Sequence, residues 1–166
     1  MSEDGEATDP RITVRRGRRE DATTLAALHR EADWCYDDAA IVTEYFDDAF
    51  EPETILAAEH DGALVGKLEL FLGWKSTGGR FGLIRRFVIH PDWRGRGIGR
   101  RLLAAAEDEA RRAGCGFLEL SVDEDNAGAR RLYANQGFAE DRRELMLRKS
   151  LDGHTHPSHT KQRQPD

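Results

Sequence analysis

The segment Phe87-Val88-Ile89-His90-Pro91-Asp92-Trp93-Arg94-Gly95-Arg96-Gly97-Ile98-Gly99 constrains this chain more than any other. An apolar run ends at a proline, and three glycines then alternate at positions 95, 97 and 99. Behind them Ile98, Leu102, Leu103 and Ala106 recur at helical spacing, and Gly114 stands where a helix-ending glycine belongs. The spacing predicts a strand, a turn and a helix over 97–113. Glycine lets a backbone approach a ligand closely and adopt left-handed dihedrals. The helix start adds unpaired N–H groups and a positive dipole end, which together favour an anion. Arg94, Arg96 and Arg100 add charge. Taken by itself, the segment reads either as a phosphate or pyrophosphate site or as a basic surface turn before an ordinary helix.

The familiar phosphate patterns fail on spacing. A dinucleotide turn needs Gly-x-Gly-x-x-Gly in an early strand–helix unit, and a P-loop needs Lys-Ser/Thr after its last glycine. Here the glycines are spaced Gly-x-Gly-x-Gly, several strands precede them, and Arg100-Arg101 follows.

Charge sharpens the reading. The chain carries 25 Lys and Arg against 31 Asp and Glu, a net charge of −6. That disfavours a general nucleic-acid binder, which needs a basic surface. The charge is unevenly distributed. From Asp33 to Glu53 there are eight acids and no Lys or Arg, whereas Arg85 to Arg101 holds six arginines and the single acid Asp92. Two charged ligands of opposite sign fit such a chain. The acidic stretch has two readings: a wall that attracts a cationic amine, with Trp34, Tyr36, Tyr45 and Phe46 lining it, or a solvated face.

The rest of the chain orders itself around this turn. Residues 1–10 read as a disordered leader and 151–166 as a flexible polar tail, leaving 11–150 for one domain, ample for a core. Ile12 to Arg15 reads as a strand. Asp21 caps a helix carrying Leu25, Leu28 and Ala32, and 39–50 reads as a second helix. Ile55 to Glu59, the turn Asp61-Gly62, and Ala63 to Leu72 read as a hairpin. Leu83 to Ile89 is a strand before the turn. Phe117 to Val122, a helix over 127–135, and a last strand through Leu145, Met146 and Leu147 complete the order. Helix-linked strands give parallel neighbours and the run of three gives antiparallel ones, so the class is α/β with a mixed sheet. No apolar run approaches the ~20 residues of a membrane span. Without a charged-then-apolar leader, and with only Cys35 and Cys115, a reduced cytoplasm is the expected compartment. His154, His156 and His159 read as tail residues rather than metal ligands, and no metal is expected.

Two segments together resemble the GNAT superfamily of acetyl-CoA-dependent N-acetyltransferases. Arg94-Gly95-Arg96-Gly97-Ile98-Gly99 matches its Arg/Gln-x-x-Gly-x-Gly/Ala signature, after the hydrophobic strand and proline of Phe87 to Pro91. Some thirty residues on, Asn126-Ala127-Gly128-Ala129-Arg130-Arg131-Leu132-Tyr133-Ala134-Asn135-Gln136-Gly137-Phe138 matches its Asn-x-x-Ala-x-x-Leu-Tyr-x-x-x-Gly-Phe segment. The resemblance implies a single-domain fold whose parallel strand pair splays, with flanking helices. It implies that the pantetheine arm of acetyl-CoA lies in the gap against Phe87, Val88 and Ile89, with the Ile89 N–H polarising the acetyl carbonyl. The N–H groups from Arg94 through Gly95, Arg96, Gly97, Ile98 and Gly99 to Arg100 would hold the pyrophosphate. Asn126 would touch the cofactor arm and Tyr133 would protonate the leaving thiolate.

The resemblance does not supply a base. Family members place a Glu at positions that here are Ser121, or on the strand reading Leu83-Ile84-Arg85-Arg86-Phe87. Glu69, Glu119 and the acids from Asp33 to Asp38 remain as candidates. The function implied is acetyl transfer to a primary amine of a small molecule or peptide. No nucleic-acid or membrane partner is expected, and the family often forms homodimers. A non-catalytic acyl-CoA-binding regulatory module is the alternative.

Overall fold

The computed structural model describes residues 9–32, 53–76, 78–147 and 149–151. Five strands form one sheet: β1 (Ile12–Arg16), β2 (Glu53–His60), β3 (Ala63–Lys75), β4 (Gly79–Ile89) and β5 (Phe117–Leu120), in that spatial order. β1 to β4 are antiparallel neighbours, and β5 joins β4 in parallel. The helices are α1 (Ala22–Glu31), α2 (Ile98–Arg112) and α3 (Ala127–Asn135). The parallel step from β4 to β5 needs a crossover, and α2 supplies it. This is the mixed α/β sheet that the order of elements predicts.

Local chemistry explains the elements that matter for the site. The β2–β3 hairpin turns on Asp61 and Gly62, with φ of 49° and 83°, the positive pair that a two-residue loop requires. α2 turns Ile98, Leu102, Leu103 and Ala106 onto Leu56, Leu68, Leu70 and Ile84 of the sheet, all buried. The alternating pleat puts Ile55 on the other face, where Leu25 and Ala26 of α1 cover it. Gly82 is where β4 comes closest to this packing: a Cβ there would stand 2.6 Å from Leu118 Cδ2.

The structure departs from the sequence reading at several points. Asp21 does not cap α1 from in front. It ends a 3₁₀ turn, Arg19–Asp21, that runs directly into the helix, so its carboxylate is turned back. There it accepts the Arg18 N–H at 2.6 Å and binds the Arg15 guanidinium at 2.7 and 2.9 Å. Arg15 also reaches Glu59 at 2.6 Å, tying β1, β2 and the approach to α1 together. β5 ends at Leu120, so Val122 lies outside it. The last strand expected through Leu145 to Leu147 is not formed, and these side chains are about nine-tenths exposed. A strand exists only by pairing, and this stretch pairs charges locally instead, Arg142 with Glu144 and Arg143 with Glu140. The helix expected over 39–50 lies outside the described residues, as do the tail histidines and Cys35.

The Arg15 clamp generates a prediction. The guanidinium holds the Asp21 carboxyl below its ordinary range, so its stabilisation is complete above the unfolded value of about 4 and fades as pH falls toward the lower folded value. Asp21→Asn should cost about 1–3 kcal/mol at neutral pH, measured by urea unfolding. The gap between variant and parent should shrink steadily below pH 4. A gap unchanged from pH 7 to pH 3 would show that Asp21 acts by shape alone.

Candidate functional site

The parallel pairing of β4 and β5 is short. It runs from Phe81 opposite Phe117 to Ile84 opposite Leu120. β4 then continues five residues further, to Ile89. Among the described residues no strand continues beside Arg85–Ile89 on that side, while β3 still pairs as far as Ile89 on the other. The result is the splay that the resemblance implies, with one backbone edge of β4 open to the gap.

The glycine turn closes one end of this gap. His90 leads into a 3₁₀ turn, Pro91–Trp93, where its Nδ1 accepts the Asp92 N–H at 3.1 Å. Its Nε2 lies 2.8 Å from Glu31, so both ring nitrogens serve the turn. Gly95 and Gly97 have φ of 71° and 73°, where any other residue is strained. Gly97 is the N-cap of α2, and no side chain caps it. The first-turn N–H groups of Ile98, Gly99 and Arg100 therefore lie at a helix start of the kind an anion takes as its position. The Ile98 side chain is buried in the core, so only its backbone faces that position. Arg94, Arg96 and Arg100 are exposed, and Arg96 stacks on Trp93 at 4.7 Å.

α3 forms the wall opposite β4. Asn126 is its N-cap and its Oδ1 accepts the Ala129 N–H at 3.1 Å, which leaves the amide nitrogen as a donor. Leu132 packs so close to α2 that a Cβ on Gly99 would lie 3.0 Å from it. That contact fixes the glycine turn relative to Tyr133, one residue along. The Tyr133 ring is 6.2 Å from Phe87 and 5.9 Å from Phe138. Burial raises its phenol above the ordinary value near 10, so it stays protonated at neutral pH. Val88 is buried, whereas Phe87 and Ile89 are partly accessible. The structure thus brings Phe87, the turn and Tyr133 around one gap.

The candidate bases fare differently. Glu69 is fully buried, with one carboxylate oxygen on the Lys67 ammonium and the other 2.6 Å from Arg86. Glu119 is paired with Lys75. The acids from Asp33 to Asp38 lie outside the described residues. Sequence reasoning missed two features. Arg86 has a left-handed backbone, φ 42°, at a bulge where the β3–β4 register shifts between Lys67 and Glu69. Lys67 itself is fully buried, and burial pushes its ammonium below its usual range. The only sequence signal for either feature was the polar alternation Lys67-Leu68-Glu69.

A family model described as "Acetyltransferase (GNAT) family" matches residues 22–138. The chain belongs to the GNAT acetyltransferase family. An L-methionine sulfoximine/L-methionine sulfone acetyltransferase of Salmonella typhimurium is 34% identical over 85 residues, 51% of this chain and 49% of the relative. This GNAT chain therefore spans about half the length of that relative. An aminoglycoside N(6′)-acetyltransferase type 1 of Stenotrophomonas maltophilia is 31% identical over 146 residues, 84% of this chain and 94% of the relative. The fold is shared with a solved ribosomal-protein-alanine N-acetyltransferase of Brucella melitensis biovar Abortus 2308, at a TM-score of 0.71 and 24% identity, over 83% of this chain and 99% of that one. Among the described residues, no helix of this GNAT chain is long and apolar enough to cross a membrane.

Replacing Gly97 with alanine puts a Cβ on a backbone at φ 73°, a strain of about 1–3 kcal/mol. Gly97→Ala should lower the melting temperature of this GNAT domain by several degrees, at about 2–4 °C per kcal/mol for a chain of this length. An unshifted melting curve would mean that the turn relaxes at no cost.

Proposed function

We propose that this chain is an N-acetyltransferase that moves an acetyl group from acetyl-CoA to a primary amine of a small molecule or peptide. The observation that carries the reading is the five-residue overhang of β4, with an uncapped helix start at one end and a protonated phenol opposite. The names of the matched relatives support an amine acceptor.

In this reading the pyrophosphate sits on the N–H groups from Arg94 to Arg100, at the positive end of the α2 dipole. The pantetheine amides take the place of a strand beside Phe87, Val88 and Ile89, pairing the open edge. The amine, as a free base, attacks the thioester carbonyl; the carbonyl oxygen gains charge, and a backbone N–H aimed at it, that of Ile89, lowers the barrier. The C–S bond then breaks, the sulfur leaves with the electron pair and takes the Tyr133 hydroxyl proton, and the nitrogen gives up its surplus proton to water, from which the phenolate is reprotonated. Burial keeps that proton in place through neutral pH. Asn126 donates from its amide nitrogen to the cofactor arm. The site is assembled within one chain, so a homodimer is compatible with the reading but is not required by it, and the expected compartment is the cytoplasm.

Thiol release from acetyl-CoA, followed across amino acids, peptides, polyamines and aminoglycosides, tests the reading. Turnover should appear with at least one amine. Tyr133→Phe should lower kcat about 100-fold, with acetyl-CoA affinity nearly unchanged. Equal kcat in the variant would remove Tyr133 from the mechanism. Acetyl-CoA binding without turnover on any acceptor would favour a regulatory acyl-CoA module, and absence of binding would sink both readings.

A further inference from the structure

One strongly coupled group of charges has no part in the mechanism above. Lys67 and Glu69 lie two residues apart on β3, on the face that α1 covers, and both are fully buried. Burying two charges is costly unless they are paired and their hydrogen bonds are filled. Here both oxygens of Glu69 are used, one by Lys67 and the other by Arg86 at 2.6 Å. Arg86 is also the strained residue of the site. Its φ of 42° is a conformation that a side chain with a Cβ rarely adopts. It lies at the bulge, where Lys67 faces Val88 but Glu69 faces Arg85, so β4 carries one residue more than β3 between them. The next residue along is Phe87, the first of the three edge residues assigned to the cofactor arm.

We propose that Glu69, held by Lys67, is a positioning residue that locks the β4 bulge by tethering Arg86, and so aims the edge at Phe87–Ile89. Phe87 and its neighbours are assigned to the cofactor by the acetyltransferase reading, and the catalytic consequence rests on that reading. Without the tether, a regular ladder without the bulge is the relaxed state of β4, because Arg86 then returns to an ordinary extended backbone. Such a change shifts every residue after it to the opposite face. The geometry distinguishes this role from a direct contact between the Arg86 charge and a substrate. Glycine accepts φ 42° without strain and alanine does not. A bulge-locking role therefore separates Arg86→Gly from Arg86→Ala, whereas a charge-contact role treats the two alike.

The test compares E69Q, R86A, R86G and the double variant E69Q/R86G in full-length protein. Two readouts are used: thiol release from acetyl-CoA with the best acceptor, and the backbone amide NMR signals of residues 86–88. R86A and E69Q should lower kcat about 10- to 100-fold, the scale of an ångström misplacement, and raise KM for acetyl-CoA, since the pantetheine pairs with the same edge. R86G should exceed R86A by at least about tenfold, and E69Q should cost much less in the R86G background than alone, the non-additivity expected of coupled residues. The amide signals should move in E69Q and R86A and return in the double variant. Equal kcat for R86G and R86A, or an E69Q loss identical in both backgrounds, would overturn the proposal while leaving acetyl transfer intact. If the parent protein turns over no acceptor, the acetyltransferase reading fails and the amide signals alone decide the bulge lock. Signals unmoved by E69Q and R86A then overturn it. If E69Q fails to fold, the contrast between R86G and R86A decides.

Discussion

A strand that loses its neighbour part-way leaves backbone donors and acceptors with nothing to bind, and this constraint organises the rest of the molecule. β4 pairs with β5 only through Ile84 and then runs on to Ile89. Among the described residues no strand pairs with the Phe87–Ile89 edge on that side, and such an edge takes a partner. The surrounding elements define what that partner can be. α3 stands across from the edge and presents Tyr133, and the glycine turn caps the far end with N–H groups. An extended, amide-bearing chain that ends in an anion satisfies both demands, which is the chemistry of pantetheine joined to a pyrophosphate. The same open edge that is a cost to the free protein is the recognition surface of the proposed complex.

Packing explains why the gap has a defined width. Two close contacts involve glycines: Gly82 against Leu118 of β5, and Gly99 against Leu132 of α3. The first brings β5 tightly against β4 below the gap. The second brings α3 tightly against α2 above it. Larger side chains at either place would push a wall outward, because interiors are packed too densely to absorb a methyl group freely. The gap is therefore set by two short contacts on its margins rather than by residues inside it. Arg15, bound to Asp21 and Glu59, anchors the other edge of the sheet, where α1 enters.

The parts of this architecture that were legible in the sequence are those written in local chemistry. Alternating glycines, a helical apolar stripe and the Asp-Gly pair announce the turn, α2 and the hairpin, because each depends on the conformational range of the residue itself. The Asn-to-Phe segment placed Tyr133 and Asn126 through its likeness to a family. What stayed hidden depends on the neighbours. Lys67-Leu68-Glu69 has the alternation of an ordinary half-solvated strand, yet the polar positions lie under α1 and pair with one another. Periodicity distinguishes two faces of a strand, but not water from a helix above one of them. The Leu145-Met146-Leu147 run failed for the related reason that apolar character does not create a pairing edge. The Arg86 bulge is a mismatch between two strands, and neither strand alone encodes it.

The two ends of the gap handle left-handed backbone in different ways, and the difference follows from what each end must do. At the glycine turn the chain uses Gly95 and Gly97, where the strain vanishes and the backbone can come close to a ligand. At the bulge it uses an arginine, which is strained there. A glycine at position 86 would accept the same dihedral without strain, so the bulge would stand there without a partner. Arginine makes the bulge conditional on a partner. Its guanidinium reaches Glu69 from the bulged conformation, and Glu69 is itself fixed by Lys67. In the observed register the strain at Arg86 is thus offset by its ion pair with Glu69. This also accounts for Glu69 as a weak candidate for the base that accepts the amine's proton: a carboxylate whose two oxygens already serve two cations is occupied with holding the strand.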